Sequence, residues 1–304
     1  MPLLARLGLR AGPSPATSFG AQPDTGDYFH PGLIGECANP DCRSGWLHLF
    51  RKRTTPVFEG GWTCSPECTE ARVLASLRRE VDGTTVARQV HRHRIPLGLL
   101  MLENGWISRE QLRKALEAQR SAGTGRIGEW LIRQEATDED TVTRALGLQW
   151  SCPVLSVSSY DPAAFTAVMP RLFLDAFGVL PLRMAAGKLL YLGFEEVLDP
   201  ALALAVGRIT GLRVESGVVP SAEFRAAQPL VLKEKFPMVQ LAEAVSESAA
   251  ARLLARSIER SQPIGARLVR VHNCIWMRMN LLRGRSPIPR IDAVSDVVCS
   301  IGKL

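Results

Sequence analysis

No apolar run in this 304-residue chain reaches the ~18–20 residues needed to span a bilayer. The opening stretch MPLLARLGLRAGPSPATSFGAQPDTG has no sustained apolar core followed by a cleavage site, so residues 1–30 read as a flexible leader and the expected location is cytoplasmic. The chain also lacks a Gly-x-x-x-x-Gly-Lys-Ser/Thr loop, which excludes that form of phosphate cradle. It has no nucleophile elbow, no His-Glu-x-x-His and no paired-carboxylate site. The acidic clusters Asp138-Glu139-Asp140 and Glu195-Glu196 read as helix-end and surface charge. Together these absences argue against catalysis. A strong excess of one charge is lacking too: 37 basic residues face 30 acidic ones, a mild net +7 that suits an anionic ligand or surface without specifying one. What remains is an ordinary globular balance, 46% apolar and 22% charged, in a length that holds two or three compact units.

Four of the seven cysteines fall in one segment, as Cys37-x4-Cys42 and Cys64-x3-Cys68. Two close pairs about twenty residues apart form a structural zinc pattern, because four thiolates can converge from two short loops. Two disulfides are the other reading, and a chain without a secretion signal disfavours them. Spacing does not separate zinc from iron. A helical run over 69–80 follows the second pair, so Cys64 and Cys68 stand at a helix start, where backbone N–H groups favour thiolates. With residues 46–50 and 55–59 expected to form a hairpin between the pairs, the segment looks treble-clef-like. His48 reads as an ordinary hairpin residue. Cys152, Cys274 and Cys299 are isolated and read as small core hydrophobes. The helix is expected to continue to 94 and grows basic, through Arg78, Arg79, Arg88 and His91-Arg92-His93-Arg94. This reads as a solvated face and linker. Nucleic acid is an unlikely partner, since no basic recognition helix is evident beyond Arg72, Arg78 and Arg79.

The most informative feature is a motif read twice, PLGLLMLENGWISREQLRKALEAQ at 96–119 and RIGEWLIRQEATDEDTVTRALGLQ at 126–149. The copies share Leu97-Gly98 with Ile127-Gly128, Met101 with Leu131, Leu112 with Val142, Leu116 with Leu146 and a closing Gln119 with Gln149. Each reads as a short helix, a turn and a longer helix. Ser108 with Gln111 makes a capping box, and Thr137 with Asp140 is its expected counterpart. Glycine costs a helix ~1 kcal/mol relative to alanine, so Gly98 and Gly128 signal close approach of a helix or of a ligand ring.

This pattern resembles the N-terminal domain of type II secretion and type IV pilus ATPases, the MshE-type domain, whose signature Arg-Leu-Gly-x-x-Leu…Gly…Leu-x-x-x-Leu-x-x-Gln is used in tandem. The resemblance implies a cyclic di-GMP site over Leu97, Gly98, Leu112, Leu116, Gln119, Arg126, Ile127, Gly128, Leu146 and Gln149. Apolar side chains would stack on guanine, and Arg126 would hold a phosphate. The first copy departs from the signature with Pro96 in place of arginine, and a proline offers no guanidinium fork. Arg94 lies two residues upstream. The second copy has Glu135 in place of the inner glycine. The α/β order over 151–232 extends the resemblance to about 96–232, and the ATPase domain that normally follows is not part of this sequence.

The expected fold class is α+β: a small zinc-bound treble-clef-like unit, a tandem helical repeat of about four helices, then a small α/β domain with a C-terminal helix-strand segment. The expected boundaries are a leader at 1–30, the zinc unit and basic helix at 31–94, the tandem at 95–150, the α/β part at 151–235 and the last segment at 236–304. Within these, 152–157 reads as a strand or extended lead-in and 178–183 with 188–194 as paired strands. A helix is expected at 199–209, a strand at 211–218, a helix over 238–260 and a strand over 267–279. Two function classes follow. One is a regulatory module that senses cyclic di-GMP. The other is an interaction adaptor for secretion or pilus machinery proteins that binds no nucleotide.

Overall fold

The structure is a computed structural model that describes residues 36–43, 54–87, 94–158, 160–195, 197–284 and 286–302. The expected leader, the expected strand 46–50 with His48, and the basic residues Arg88 to His93 lie outside them. The first elements are a small hairpin, β1 (Val57–Phe58) and β2 (Gly61–Trp62), followed by a long helix, α1 (Pro66–Ala87). Val57 and Phe58, within the expected strand 55–59, pair with Trp62 and Gly61, and the expected partner strand 46–50 lies outside the described residues. The reason for the observed pairing is the two-residue turn at Glu59 and Gly60, both at positive φ, the signs that match the twist of a tight hairpin.

The tandem forms four helices: α2 (Leu97–Glu103), α3 (Arg109–Ala122), α4 (Ile127–Arg133) and α5 (Glu139–Trp150). The Ser108–Gln111 capping box is present in both directions, and Gly123 ends α3 in the left-handed region. The second long helix is capped by Asp138 rather than Thr137, its carboxylate accepting from the Thr141 N–H at 2.7 Å. A carboxylate outdoes a hydroxyl at the positive end of a helix. Hydrogen bonds from Thr141, its hydroxyl first and its N–H second, hold the Asp138 carboxyl below its usual range.

After the tandem, the segment 152–157 is extended but makes a single isolated bridge, Val154 to Val218. A 3-10 turn at Ala163–Phe165 and helix α6 (Arg171–Ala176) lead into β3 (Val179–Ala185) and β4 (Leu189–Phe194), antiparallel to each other. Helix α7 (Pro200–Thr210) then crosses to β5 (Arg213–Val218), parallel to β4, and α8 (Ser221–Leu232) closes this part.

The last segment departs most from expectation. Residues 238–260 are not one helix but a strand, β6 (Met238–Ala244), and a helix, α9 (Glu247–Ser261). The expected single strand over 267–279 is a hairpin of β7 (Gly265–Val271) and β8 (Cys274–Asn280), and a final strand, β9 (Val294–Ile301), follows. The sheet order is β6-β9-β8-β7, with β6 parallel to β9 and the other pairs antiparallel. The apolar spacing of 238–245 fits either period. Pairing with β9, some fifty residues away, decides for a strand.

This four-stranded sheet is a buried partition. On one face Ala266, Leu268, Ile275, Met277, Val297 and Cys299 pack with Val73 and Leu77 of α1 and with Leu254 and Ile258 of α9. On the other, Val269, Val271, Trp276 and Val298 pack with Phe173, Val206 and Phe194 of the α/β part. Both faces of the inner strands β8 and β9 are largely buried, which removes the alternation that marks a half-exposed strand. Burial pushes the Cys299 thiol up, as expected for a small core residue. Cys152 and Cys274 are only half-buried and pack against the α/β core.

One ion pair is sealed into the second interface. Arg278 is 3% exposed and Asp296 0%. The guanidinium donates Nε to Asp296 Oδ1 at 2.9 Å and its terminal nitrogen to Oδ2 at 2.8 Å. Its other terminal nitrogen donates to the Ala167 and Val168 carbonyls at 2.7 and 3.0 Å, and Trp276 Nε1 donates to Asp296 Oδ1 at 2.9 Å. Asp296→Ala should lower the unfolding free energy by about 3–5 kcal/mol, because it strands a buried guanidinium. The double replacement Arg278→Met with Asp296→Leu should lose less than the single one, as measured from urea midpoints.

Candidate functional site

The four cysteines named from spacing come together. Sγ atoms of Cys37, Cys42, Cys64 and Cys68 all lie within 4.8 Å of one another. Cys42 to Cys64 is 3.5 Å and Cys64 to Cys68 is 3.6 Å. A disulfide needs ~2.05 Å; all four are free. A tetrahedral zinc with Zn–S ~2.3 Å holds its sulfurs ~3.8 Å apart, so the donor set fits such an ion.

Local sequence explains the convergence. The loop after Cys37 turns on Asn39, whose Oδ1 accepts from the Asp41 N–H at 3.2 Å and whose carbonyl accepts from the Cys42 N–H at 3.1 Å. The Ala38 N–H donates to the Trp62 carbonyl at 2.8 Å, which lays this loop along β2. Gly61 permits the approach, since a Cβ there would fall 2.3 Å from the Ala38 Cβ. Cys68 stands in the first turn of α1, where its N–H donates to Ser65 Oγ at 3.3 Å. The nearly buried Asn39 donates its side-chain N–H to Cys68 Sγ at 3.3 Å, the kind of outer contact that orients a metal-binding sulfur. Sequence reading missed Asn39. The signal was an Asn-Pro turn between two cysteines. Burial pushes the Cys37 thiol up, and a bound cation would oppose that by favouring the thiolate.

The tandem places its motif residues with an internal two-fold likeness. Gln119, at the end of copy one, donates Nε2 to the Gly125 carbonyl at 2.8 Å, just ahead of Arg126. Gln149, at the end of copy two, donates to the Ile95 carbonyl at 2.7 Å, just ahead of Pro96. Each closing glutamine thus fastens the start of the other copy's short helix. The two glycines play matching parts. A Cβ on Gly98 would meet Leu112 Cδ1 at 2.5 Å, and one on Gly128 would meet Val142 Cγ1 at 2.8 Å. The close approach inferred for these glycines is therefore that of the neighbouring long helix. Gly105 and Glu135 also match, both at positive φ, so Glu135 takes a conformation that glycine adopts without strain.

Of the remaining motif residues, Leu112 is buried, while Leu97, Leu116, Ile127 and Leu146 are half-buried and pack against the tandem core. Arg126 is exposed at the N-cap of α4. Arg94 lies over the Trp150 ring, 2.9 Å from its centroid, and burial lowers its pKa. Arg133 over Trp130 and Arg144 over Trp106 repeat the arrangement at 5.0 and 5.9 Å. These three arginine–tryptophan stacks were not read from the sequence; Arg133 and Trp130 are three apart on α4, while the other two join residues far apart in the chain. A cleft of ≈ 310 Å³ opens on α3, lined by Leu102, Leu112 and Leu116 and by Arg109, Arg113, Glu117 and Arg120. Arg113 is tied to Glu110 and Glu117. Among the described residues neither Arg109 nor Arg120 has an ion-pair partner.

Elsewhere, His272 lies between two strands. It sits at the β7–β8 turn at positive φ, 2.5 Å from Asp199 and stacked on Phe177. Arg79 of α1 is paired with Glu59 and Arg78 lies 3.8 Å from Glu247. Glu139 accepts from the Ala222 N–H at 2.6 Å and Glu195 pairs with Arg225, so these acidic groups serve structural contacts. Among the described residues no helix is long and apolar enough to cross a membrane.

No protein-family model matches the chain. Over 148 residues, 47% of its length, the chain is 29% identical to the type IV pilus assembly ATPase PilB of Myxococcus xanthus, covering 25% of that protein. Over 125 residues, 41% of its length, it is 32% identical to bacteriophage adsorption protein B of Escherichia coli, covering 16% of that one. The chain thus spans a quarter or less of the length of each of these relatives. Solved structures similar to it include MshE with cdg, at a TM-score of 0.37 and 24% identity over 45% of this chain and 99% of that one. The N-terminal domain of XpsE follows, at 0.34 and 17% over 46% of this chain and 97% of that one. The chain resembles the N-terminal domain of type II secretion and type IV pilus ATPases, as the tandem motif implies.

Gly128→Ala should lower stability by about 1–3 kcal/mol, because the added methyl overpacks against Val142. Gly105→Ala, at a left-handed position with open space, should lose less, about 1 kcal/mol. Urea midpoints of the two variants check the order.

Proposed function

We propose that this chain is a non-catalytic regulatory module of the secretion- and pilus-ATPase N-terminal type, and that its tandem senses cyclic di-GMP. The observation that carries this reading is the α3 cleft, where Leu112 and Leu116, two residues of the implied ligand set, lie among guanidinium groups. A dinucleotide offers apolar base faces and two phosphates, which such a surface complements. Arg109 and Arg120 would supply phosphate contacts that Pro96 cannot, and Arg126 would supply the second copy's. Gln119 and Gln149 would exchange their backbone carbonyls for guanine edges, so that binding loosens the two glutamine latches and alters how the copies pack. PilB, an ATPase of type IV pilus assembly, makes pilus machinery the natural partner, and the resemblance carried by the tandem motif extends this to secretion machinery. The four cysteines would hold a structural zinc in a treble-clef-like unit.

A second reading is an interaction adaptor without a nucleotide. It is favoured by the same latches: Gly98, Gly128, Gln119 and Gln149 each have a packing role in the tandem.

Isothermal titration with cyclic di-GMP should give micromolar or tighter binding, weakened about 10–100-fold by Arg126→Ala, the range expected for a hydrogen bond to charge. Absence of heat at millimolar ligand would leave the adaptor reading. Elemental analysis should find about one zinc per chain, lost in Cys64→Ser. Iron, or a metal content that Cys64→Ser leaves unchanged, would refute the zinc site.

A further inference from the structure

The three most exposed large apolar residues described are Val245 at 90%, Met238 at 78% and Leu241 at 69%, and all belong to β6 or the residue after it. β6 is an edge strand: its one partner among the described residues is β9, and the sheet order ends at β6. Edges are usually guarded by lysine, proline, a bulge or a covering element. β6 has none of these within Met238–Ala244. Its register against β9 runs unbroken from Met238–Ser295 to Ala244–Ile301, and Glu243 is its one charge. The opposite edge, β7, is treated differently. It carries Arg267 and Arg270 and packs against α1, α7 and β1.

Along β6, Gln240, Ala242 and Ala244 face α9, with Gln240 bonded to Ser257. Val239 and Leu241 point to the other face, where a groove of ≈ 300 Å³ runs between the strand, Arg171, Leu172 and Asp175 of α6, and Leu232 at the end of α8. An open ladder of N–H and C=O groups beside an apolar groove calls for an added strand whose alternate side chains are apolar. β6 itself has that pattern.

We propose that β6 is a self-association edge, pairing antiparallel with β6 of a second copy about a two-fold axis at Leu241. In that register Leu241 lies beside its own counterpart and Met238 faces Ala244. Glu243 faces Val239, so no like charges oppose across the pair. The two grooves join into one apolar strip built from Leu172, Leu232, Val239 and Leu241 of each copy, and the two four-stranded sheets become one continuous sheet. An isologous contact of this kind closes on itself and limits growth to a dimer.

Sedimentation velocity of the full chain up to about 100 μM, a range suited to interfaces at the small end of the size scale, should show mass rising from 33.3 kDa toward twice that value. Leu241→Lys and Leu241→Glu each place like charges across the axis and should each stay monomeric. An equimolar mixture of the two opposes unlike charges and should restore the dimer. Leu204→Lys, at another exposed leucine on α7, should leave the dimer intact. Leu241 is exposed, so at concentrations where the wild type is monomeric both variants should keep its melting profile. A wild type that stays monomeric throughout, a dimer indifferent to Leu241→Lys, or variants that remain monomeric when mixed would each overturn the proposal.

Discussion

The bidentate contact of Arg278 with Asp296 is the constraint around which the larger half of this protein is arranged. Two opposite charges are removed from water on adjacent strands of the same sheet, and a buried charge is tolerated only when all its donors and acceptors are met. Meeting them requires the Ala167 and Val168 carbonyls, from a segment more than a hundred residues away, and the Trp276 indole. The sheet and the α/β part are thereby held in one relative position. Apolar contact alone tolerates sliding; a guanidinium fork committed to four acceptors does not. Trp276 then packs edge-on against Phe173 at 5.4 Å, which brings α6 to the sheet.

The other face of the same sheet receives the cysteine unit. Phe58, Val73 and Leu77 enter one core with α9 and the sheet, while Glu80 of α1 accepts from Arg208 of α7 at 2.8 Å and from the Arg270 N–H at 3.1 Å. The Val57 and Glu59 N–H groups donate to the Pro263 and Ala266 carbonyls. A small unit around four thiols has too little apolar surface to stand on its own. Here its stability is shared with the sheet, and the thiol cluster sits at the outer end of α1.

The tandem is held differently. Its core is its own, and its two copies are interlocked by the two glutamine bonds and by glycine contacts that let each short helix lie against a long one. Sequence made this part legible because its contacts are local and repeated. Residues three and four apart share a helix face, and a repeated pattern reports the same packing twice. The capping box at Ser108 was readable for the same reason. The cysteine cluster was readable because metal-type chemistry fixes both residue type and spacing. The placement of Thr137 as a cap failed on a choice between adjacent residues, where the charge of Asp138 prevailed.

What the chain determined by itself is therefore the local layer: the four helices of the tandem, the capping box at Ser108, the paired strands at 179–194, and the cysteines that converge. Tertiary structure alone decided the C-terminal sheet. Met238–Ala244 carries apolar residues at a spacing that suits a helix as well as a strand, and β8 and β9 are buried on both faces, so no clean period of two divides the expected strand 267–279 into β7 and β8 or marks β9. Their identity as strands rests on hydrogen bonds to residues far along the chain and on being covered from both sides. The same holds for His272 with Asp199 and for Arg278 with Asp296. Which charges meet in a buried interface depends on how separate elements pack, and that information is absent from any short window of sequence.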